Sequence, residues 1–242
     1  MNNQILPNQN SAASKSVQVE EMFDSISPKY DLLNRIMTLG TDKGWRKKAI
    51  KMMEPYHPKT ILDIATGTAD FAIAALALQP EKVIGIDIST QMIEIGNQKI
   101  KKLNAHHIIT LQAANSEAIP FENNYFDAIT IGYGVRNFEN LETGLQEIYR
   151  VLKPGGVLVI LETSQPTSAW QKFCVSLYTT KIVPLIGRLI SNNAIAYQYL
   201  IHSARNFPYG EAFVQILKQQ NFKSTTCTPL LFGVSSIYFA VK

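Results

Sequence analysis

The chain has 242 residues, 46% hydrophobic and 17% charged, with Lys+Arg 23 against Asp+Glu 19 for a net charge of +4. That length supports a full hydrophobic core, and the composition excludes a disordered or fibrous protein. No dense Lys/Arg block accompanies the mild positive charge, so nucleic acid is not indicated, and the two cysteines, Cys174 and Cys227, fit a reducing, cytosolic location better than a disulfide framework or a zinc site.

Residues 1–16 are polar and Asn/Ser-rich and read as a frayed tail, without the apolar core of a signal peptide, so export is not expected. Residues 17–57 read as a helical cap: "VQVEEMFDSI", a break at Pro28, "KYDLLNRIMTL", a turn at Gly40, then "DKGWRKKAIKMM". The cationic "WRKK", Trp45 to Lys48, reads either as a solvated helix face or as a contact with an anionic surface.

From Pro58 the pattern changes to strands alternating with helices. "TILDI", "KVIGIDI", "HIITLQA", "YFDAITIGYG" and "VLVILET" are strand-like, and "TADFAIAALAL", "STQMIEIGNQKIKKL" and "LETGLQEIYRVL" are helical, the last stopped by "KPGG". Ser89 is placed to cap the second of these helices. Strands apolar along their whole length are buried on both faces, which predicts an α/β fold with a parallel, helix-covered sheet over residues 58–165. Residues 166–220 read as a helical insertion, and residues 221–242 as a closing β-hairpin. The closing hairpin departs from a dinucleotide fold. It is similar to the seven-stranded sheet, with one antiparallel strand, of class I methyltransferases. The apolar stretches are all far shorter than the roughly 20 residues a membrane-spanning helix needs.

Ligands bind at the carboxyl ends of parallel strands, and polar turns follow the first four strands here. Gly67, in "DIATGTAD", permits close backbone approach, and Thr68 brings a hydroxyl and an N–H to the helix start. Asp87 ends the second strand, where an acid can accept both hydroxyls of a ribose; a bare helix cap is the alternative. Asn115 and Ser116, in "ANSEAIPF", offer amide and hydroxyl groups to an adenine edge. "GYGVRN", residues 132–137, follows the fourth strand. A ribose acid beside a single-glycine turn favours S-adenosylmethionine over a dinucleotide, because a sulfonium cofactor has no pyrophosphate to cradle.

Two blocks, "YDLLNRIMTLGTDKGW" and "RVLKPGGVLVILETS", closely resemble the signatures of the UbiE/MenG family, the S-adenosylmethionine-dependent C-methyltransferases of menaquinone and ubiquinone biosynthesis. "GVRN", "AIAYQYLIHSARNFP" and "FGVSSIYFAVK" resemble that family too. The turn departs from it, with Thr66 and Ala69 at positions that are often glycine, and so do Asp42 and Gly132. The resemblance implies cofactor contacts at Thr68, Asp87, Asn115 and Ser116 and a polyprenylated quinol as substrate. It leaves open a naphthoquinol or a benzoquinol acceptor, another prenylated phenol, or a non-catalytic quinol-binding scaffold. Such an acceptor must be the reduced quinol, whose phenolate needs electrostatic support. Arg136, with Asn137 to orient the ring, is the expected catalytic pair; a structural ion pair is the alternative for Arg136. No metal ligand cluster is evident in the sequence. The apolar segment from Trp170 to Ile190 is expected to serve as a core helix or as a wall for the prenyl tail. Such a tail implies weak peripheral membrane contact. A homo-oligomer is compatible with the sequence.

Overall fold

The α/β alternation closes into one sheet of seven strands, ordered β3-β2-β1-β4-β5-β7-β6. A computed structural model describes residues 5–38, 40–166, 168–170, 173 and 194–242. The strands are β1 (Thr60–Ile64), β2 (Lys82–Asp87), β3 (Ile109–Ala113), β4 (Phe126–Gly132), β5 (Leu152–Thr163), β6 (Lys223–Leu230) and β7 (Ser235–Val241). The first five pair in parallel, while β7 runs antiparallel to both β5 and β6. The expected doubly covered sheet with one reversed strand is therefore present.

Alternation along the strands sorts the core. In β5, Leu158 and Ile160 enter the apolar cluster on one face, while Val157, Val159 and Leu161 enter the cluster on the other. Both faces being dry is why the strand reads as an unbroken apolar run. The helices covering the sheet include α4 (Asp70–Ala75), α5 (Thr90–Lys102), α6 (Leu141–Val151) and α8 (Glu211–Gln219). Ser89 caps α5 as expected, its side chain accepting from the Met92 N–H at 3.1 Å.

One local difference lies at "KPGG", which does not separate α6 from β5 but belongs to β5. The register shifts between Phe126, paired with Leu152, and Ala128, paired with Val157. The intervening residues bulge outward, with Gly155 at φ +76° supplying the left-handed conformation.

The N-terminal cap consists of α1 (Lys15–Ile26), α2 (Tyr30–Met37) and α3 (Asp42–Lys51). The first begins at Lys15 because Ser14 caps it, accepting from the Val17 N–H. Helix α7 (Ala194–Asn206) joins α1 and α5 in a third apolar cluster of Val19, Met22, Ile26, Met92, Ala196 and Tyr199. That cluster seats α1 over the carboxyl ends of β1 and β2.

Candidate active site

A cavity opens at the carboxyl ends of β1, β2 and β4 beneath α1, with Gly67, Asp87, Asn115, Ser116 and Asn137 in its lining. Four of the five residues expected to hold the cofactor thus meet in one place. The turn that brings Gly67 there is conformationally demanding. Gly67 has φ +53°, and its neighbours Ala65 (φ +51°) and Ala69 (φ +67°) are also left-handed. Two alanines in that region store strain, of the kind that collects at ligand sites.

Asp63, at the heart of β1, holds the strained turn in place. Its carboxylate is fully buried and accepts hydrogen bonds from the Thr130 hydroxyl (2.7 Å), the Thr66 hydroxyl (2.5 Å) and the Ala72 N–H (3.1 Å). Thr66, where relatives often carry glycine, thus anchors the turn through its side chain. Ala69 keeps the glycine-like conformation at a cost. Ala69→Gly is therefore expected to stabilise the protein by up to about 1 kcal/mol, because relief of left-handed strain outweighs the added chain entropy. Urea unfolding of the two proteins checks this, and a loss of stability would show that Ala69 is not strained.

Asp87 closes the turn from the other side. One carboxylate oxygen accepts from the Gly67 N–H at 2.7 Å and the other from the Ser89 N–H at 2.9 Å. Burial raises its pKa, while these backbone hydrogen bonds oppose the shift by favouring the charged form. Asn115 is exposed at the rim and accepts from the Glu117 N–H at 2.9 Å, an Asx turn that sets its position.

Thr68 departs from the sequence-based reading, because the structure turns it away from this cavity. Its hydroxyl donates to Asp31 at 2.6 Å and accepts from Lys99 at 2.8 Å. Lys99 also pairs with Asp70 at 2.8 Å, and Arg46 with the same Asp70 at 3.1 Å. These ion pairs bind α2, α3, α4 and α5 together behind the glycine turn. The Thr68 side chain points into this network.

Arg136 adopts the alternative expected for it, a structural ion pair. It lies behind the cavity wall in a buried ion pair with Glu162, Nη1 to Oε1 at 2.7 Å, with the arginine side chain 8% and the glutamate 0% exposed. Nη1 also donates to the Tyr133 carbonyl at 2.6 Å. Its Nε is buried with no hydrogen-bond partner among the described residues. Asn137, the other expected catalytic residue, does line the cavity, and its Oδ1 accepts from the Tyr199 hydroxyl at 3.2 Å. Burial pushes the Tyr199 phenol up to about 12 and the Tyr133 phenol well above its ordinary value, so both stay protonated.

The contributions of Tyr133 and Glu162 to this region are not evident in the sequence. Tyr133 stands inside "GYGVRN" at φ +56°, lines the cavity, and its hydroxyl lies 3.1 Å from that of Ser235. Glu162 ends the apolar run of β5, and a buried acid in that position was the available signal.

The cap is tied down at the cavity rim. The Lys15 ammonium is buried and donates to the Phe138 carbonyl at 2.7 Å and the Arg136 carbonyl at 3.3 Å, and burial lowers its pKa. The Ser16 N–H donates to Glu139 at 3.1 Å, and the Ser89 hydroxyl to Asp24 at 2.5 Å.

Solved structures share this architecture. A SAM-dependent methyltransferase from Thermotoga maritima superimposes with a TM-score of 0.62 at 16% identity, covering 92% of this chain and 99% of that one. The [4+2]-cyclase SpnF gives 0.61, also at 16% identity, covering 96% and 97%. A cyclase on the same fold shows that the fold alone does not choose the chemistry. Sequence relatives are closer. The demethylmenaquinone methyltransferase of Bacteroides fragilis is 44% identical over 229 residues, 94% of each chain. The ubiquinone/menaquinone biosynthesis C-methyltransferase UbiE of Geotalea daltonii is 41% identical over 230 residues, 94% of this chain and 97% of its own. The ubiE/COQ5 methyltransferase family matches residues 11–242, both the strand-end turns and the cap that covers them, and the chain belongs to that family.

Proposed function

We propose that this protein is an S-adenosylmethionine-dependent methyltransferase that C-methylates a reduced polyprenyl quinone, converting demethylmenaquinol to menaquinol. The observation that carries the reading is the Asp87 carboxylate, held at the cavity end of β2 by the Gly67 and Ser89 N–H groups. Each oxygen has accepting capacity left for a ribose hydroxyl. The residues fit the cofactor: Asp87 for the ribose, Asn115 and Ser116 for the adenine edge, and the Gly67 turn where the backbone must approach closely. When bound, the cofactor supplies an electrophilic methyl group on a sulfonium.

On the acceptor side, a quinone ring is electron-poor, so the quinol must be the substrate. Its phenol, near pKa 10, needs support to lose a proton near neutral pH. Arg136 presents a buried, unpartnered Nε–H beside Asn137 in this region. From behind the wall, the Arg136 charge and this Nε–H dipole favour the phenolate, while Asn137 orients the ring in the cavity. Glu162 and the Tyr133 carbonyl fix the guanidinium. The cap, tied down by Lys15, excludes bulk water. The segment expected to wall the prenyl tail, 170–190, lies outside the described residues except Trp170 and Phe173, which are 71% and 62% exposed. No helix among the described residues is long and apolar enough to cross a membrane, so a prenylated substrate would be met by peripheral contact.

The 44% identical relative is named for menaquinone alone, which favours the naphthoquinol acceptor. The dual name of the Geotalea relative supports a benzoquinol as the second reading. Asp87→Ala is expected to weaken S-adenosylmethionine binding by about 1.5–3 kcal/mol, roughly 10- to 150-fold. Calorimetry on the folded variant checks this, and unchanged affinity would remove Asp87 from the site. A deletion strain that accumulates demethylmenaquinone supports the first acceptor, and one that accumulates a demethylated ubiquinone precursor supports the second.

A further inference from the structure

Behind the ion pairs that hold Thr68 lies a second depression, a groove of about 590 Å³ between α2, α3 and α5. It is unrelated to Asp87 or Asn115. Lys43, Arg46 and Lys47 line it from α3, at helical spacing, and Lys99 and Lys102 face them from α5, with Arg35 at one end. Among the described residues its only carboxylates are Asp31 and Asp70, and these are occupied by Lys99 and Arg46. Arg35, Lys43, Lys47 and Lys102 are exposed and carry no ion pair among the described residues. Six cations against two carboxylates leave an excess of four, equal to the net +4 of the entire chain, so the rest of the protein is neutral on balance. The floor is apolar, with Ile50, Ile73, Ala74 and Ala77, and Leu103 stands 56% exposed at the edge. The "WRKK" cluster is thus divided by the fold: Trp45 is buried, Arg46 is committed to Asp42 and Asp70, and Lys47 faces the groove.

A narrow cleft lies between this groove and the cavity and shares walls with each. Arg46 and Asp70 line both groove and cleft, and Tyr30, Gly67, Gly132 and Tyr133 line both cleft and cavity. The geometry points to the α3–α5 groove as the face that docks on an anionic lipid bilayer, with the cleft behind it as the route by which a membrane-dissolved acceptor reaches the cavity. Clustered cations are attracted to anionic headgroups, and the apolar floor and Leu103 suit the acyl boundary beneath them. The docking assignment rests on charge and shape alone, while the route rests also on the quinol reading above.

The test uses the full chain and vesicles of phosphatidylcholine with or without phosphatidylglycerol. The native protein is expected to float with phosphatidylglycerol vesicles at low salt, to be released at high salt, and to ignore phosphatidylcholine. Lys43→Gln/Lys47→Gln/Lys102→Gln is expected to lower vesicle affinity by about 100-fold or slightly more, at about fivefold per cation. Lys48→Gln/Lys51→Gln/Lys101→Gln, the same charge loss on the same helices outside the groove, is expected to keep most of the binding. Equal losses in the two triples, or undiminished binding in the first, overturn the assignment. Release by inorganic phosphate beyond that by chloride of equal ionic strength would assign the groove to a free phosphate ligand instead and also overturn it. Methylation of a short-chain, water-soluble quinol analogue should be unchanged in the groove variant, while methylation of a long-chain quinol in phosphatidylglycerol vesicles falls. Equal long-chain rates would refute the route. Absence of analogue methylation in the native protein refutes the quinol reading alone, because vesicle binding requires no turnover.

Discussion

Glu162→Ala is expected to destabilise the protein by about 3–5 kcal/mol, because it leaves the Arg136 guanidinium charged, buried and without its counter-ion. Arg136→Met alone strands the Glu162 carboxylate in the same way. The double variant Arg136→Met/Glu162→Leu should recover most of the loss, since a buried pair and an apolar pair of similar volume are often comparable in stability. Urea unfolding of the four proteins gives the coupling, and a double variant as unstable as the sum of the singles would mean that the two residues are not coupled. Catalysis requires a different substitution. Arg136→Lys keeps the positive charge for Glu162 but has no Nε–H and no planar fork. If the Nε–H supports the phenolate, turnover should fall about 10²–10³-fold, with S-adenosylmethionine affinity unchanged and the fold intact. Unchanged turnover would reduce Arg136 to a structural partner of Glu162.

A second large effect concerns pH. Burial pushes the Asp63 carboxyl up to about 6, against the pull of its hydrogen bonds from Thr130, Thr66 and Ala72. An unfolded aspartate titrates near 3.9, so between about pH 4 and pH 6 the unfolded chain has lost a proton that the folded chain retains. Stability from this residue is therefore complete below about pH 4, declines toward pH 6, and is level above it. The shift corresponds to about 3 kcal/mol. Asp127 works in another window, because Lys153 and the Thr60 and Lys59 N–H groups hold it down at about 2, and its contribution is lost only as pH falls below about 4. Asp63→Asn keeps an oxygen for the Ala72 N–H and cannot ionise. Its stability relative to the native protein should improve by about 3 kcal/mol between pH 4 and pH 7, as read from urea unfolding at each pH. Parallel profiles for the two proteins would show that Asp63 is ionised in the fold across the whole range.

The alternation of apolar runs with helical periods determined the parallel sheet, its covered faces and the reversed closing strand. It also placed Gly67, Asp87, Asn115, Ser116 and Asn137 together, because a parallel sheet carries the ends of its strands to one edge wherever the intervening helices lie. These features follow from local rules of strand, turn and cap, each contained within a few residues. The orientation of Thr68 is not local: it depends on Asp31 and Lys99 arriving on α2 and α5. The partner of Arg136 depends on sheet register, since Gly132 pairs with Leu161 and so brings Glu162 level with the loop after β4. The Lys15 ammonium finds its carbonyls only because α1 folds back across the cavity. The groove exists only once α3 and α5 lie side by side, and in sequence its cations are scattered among others that face elsewhere. A strand-end turn is fixed by the backbone path of its own segment, whereas the direction of a charged side chain and the sign of a surface are decided by whichever distant segments pack against it.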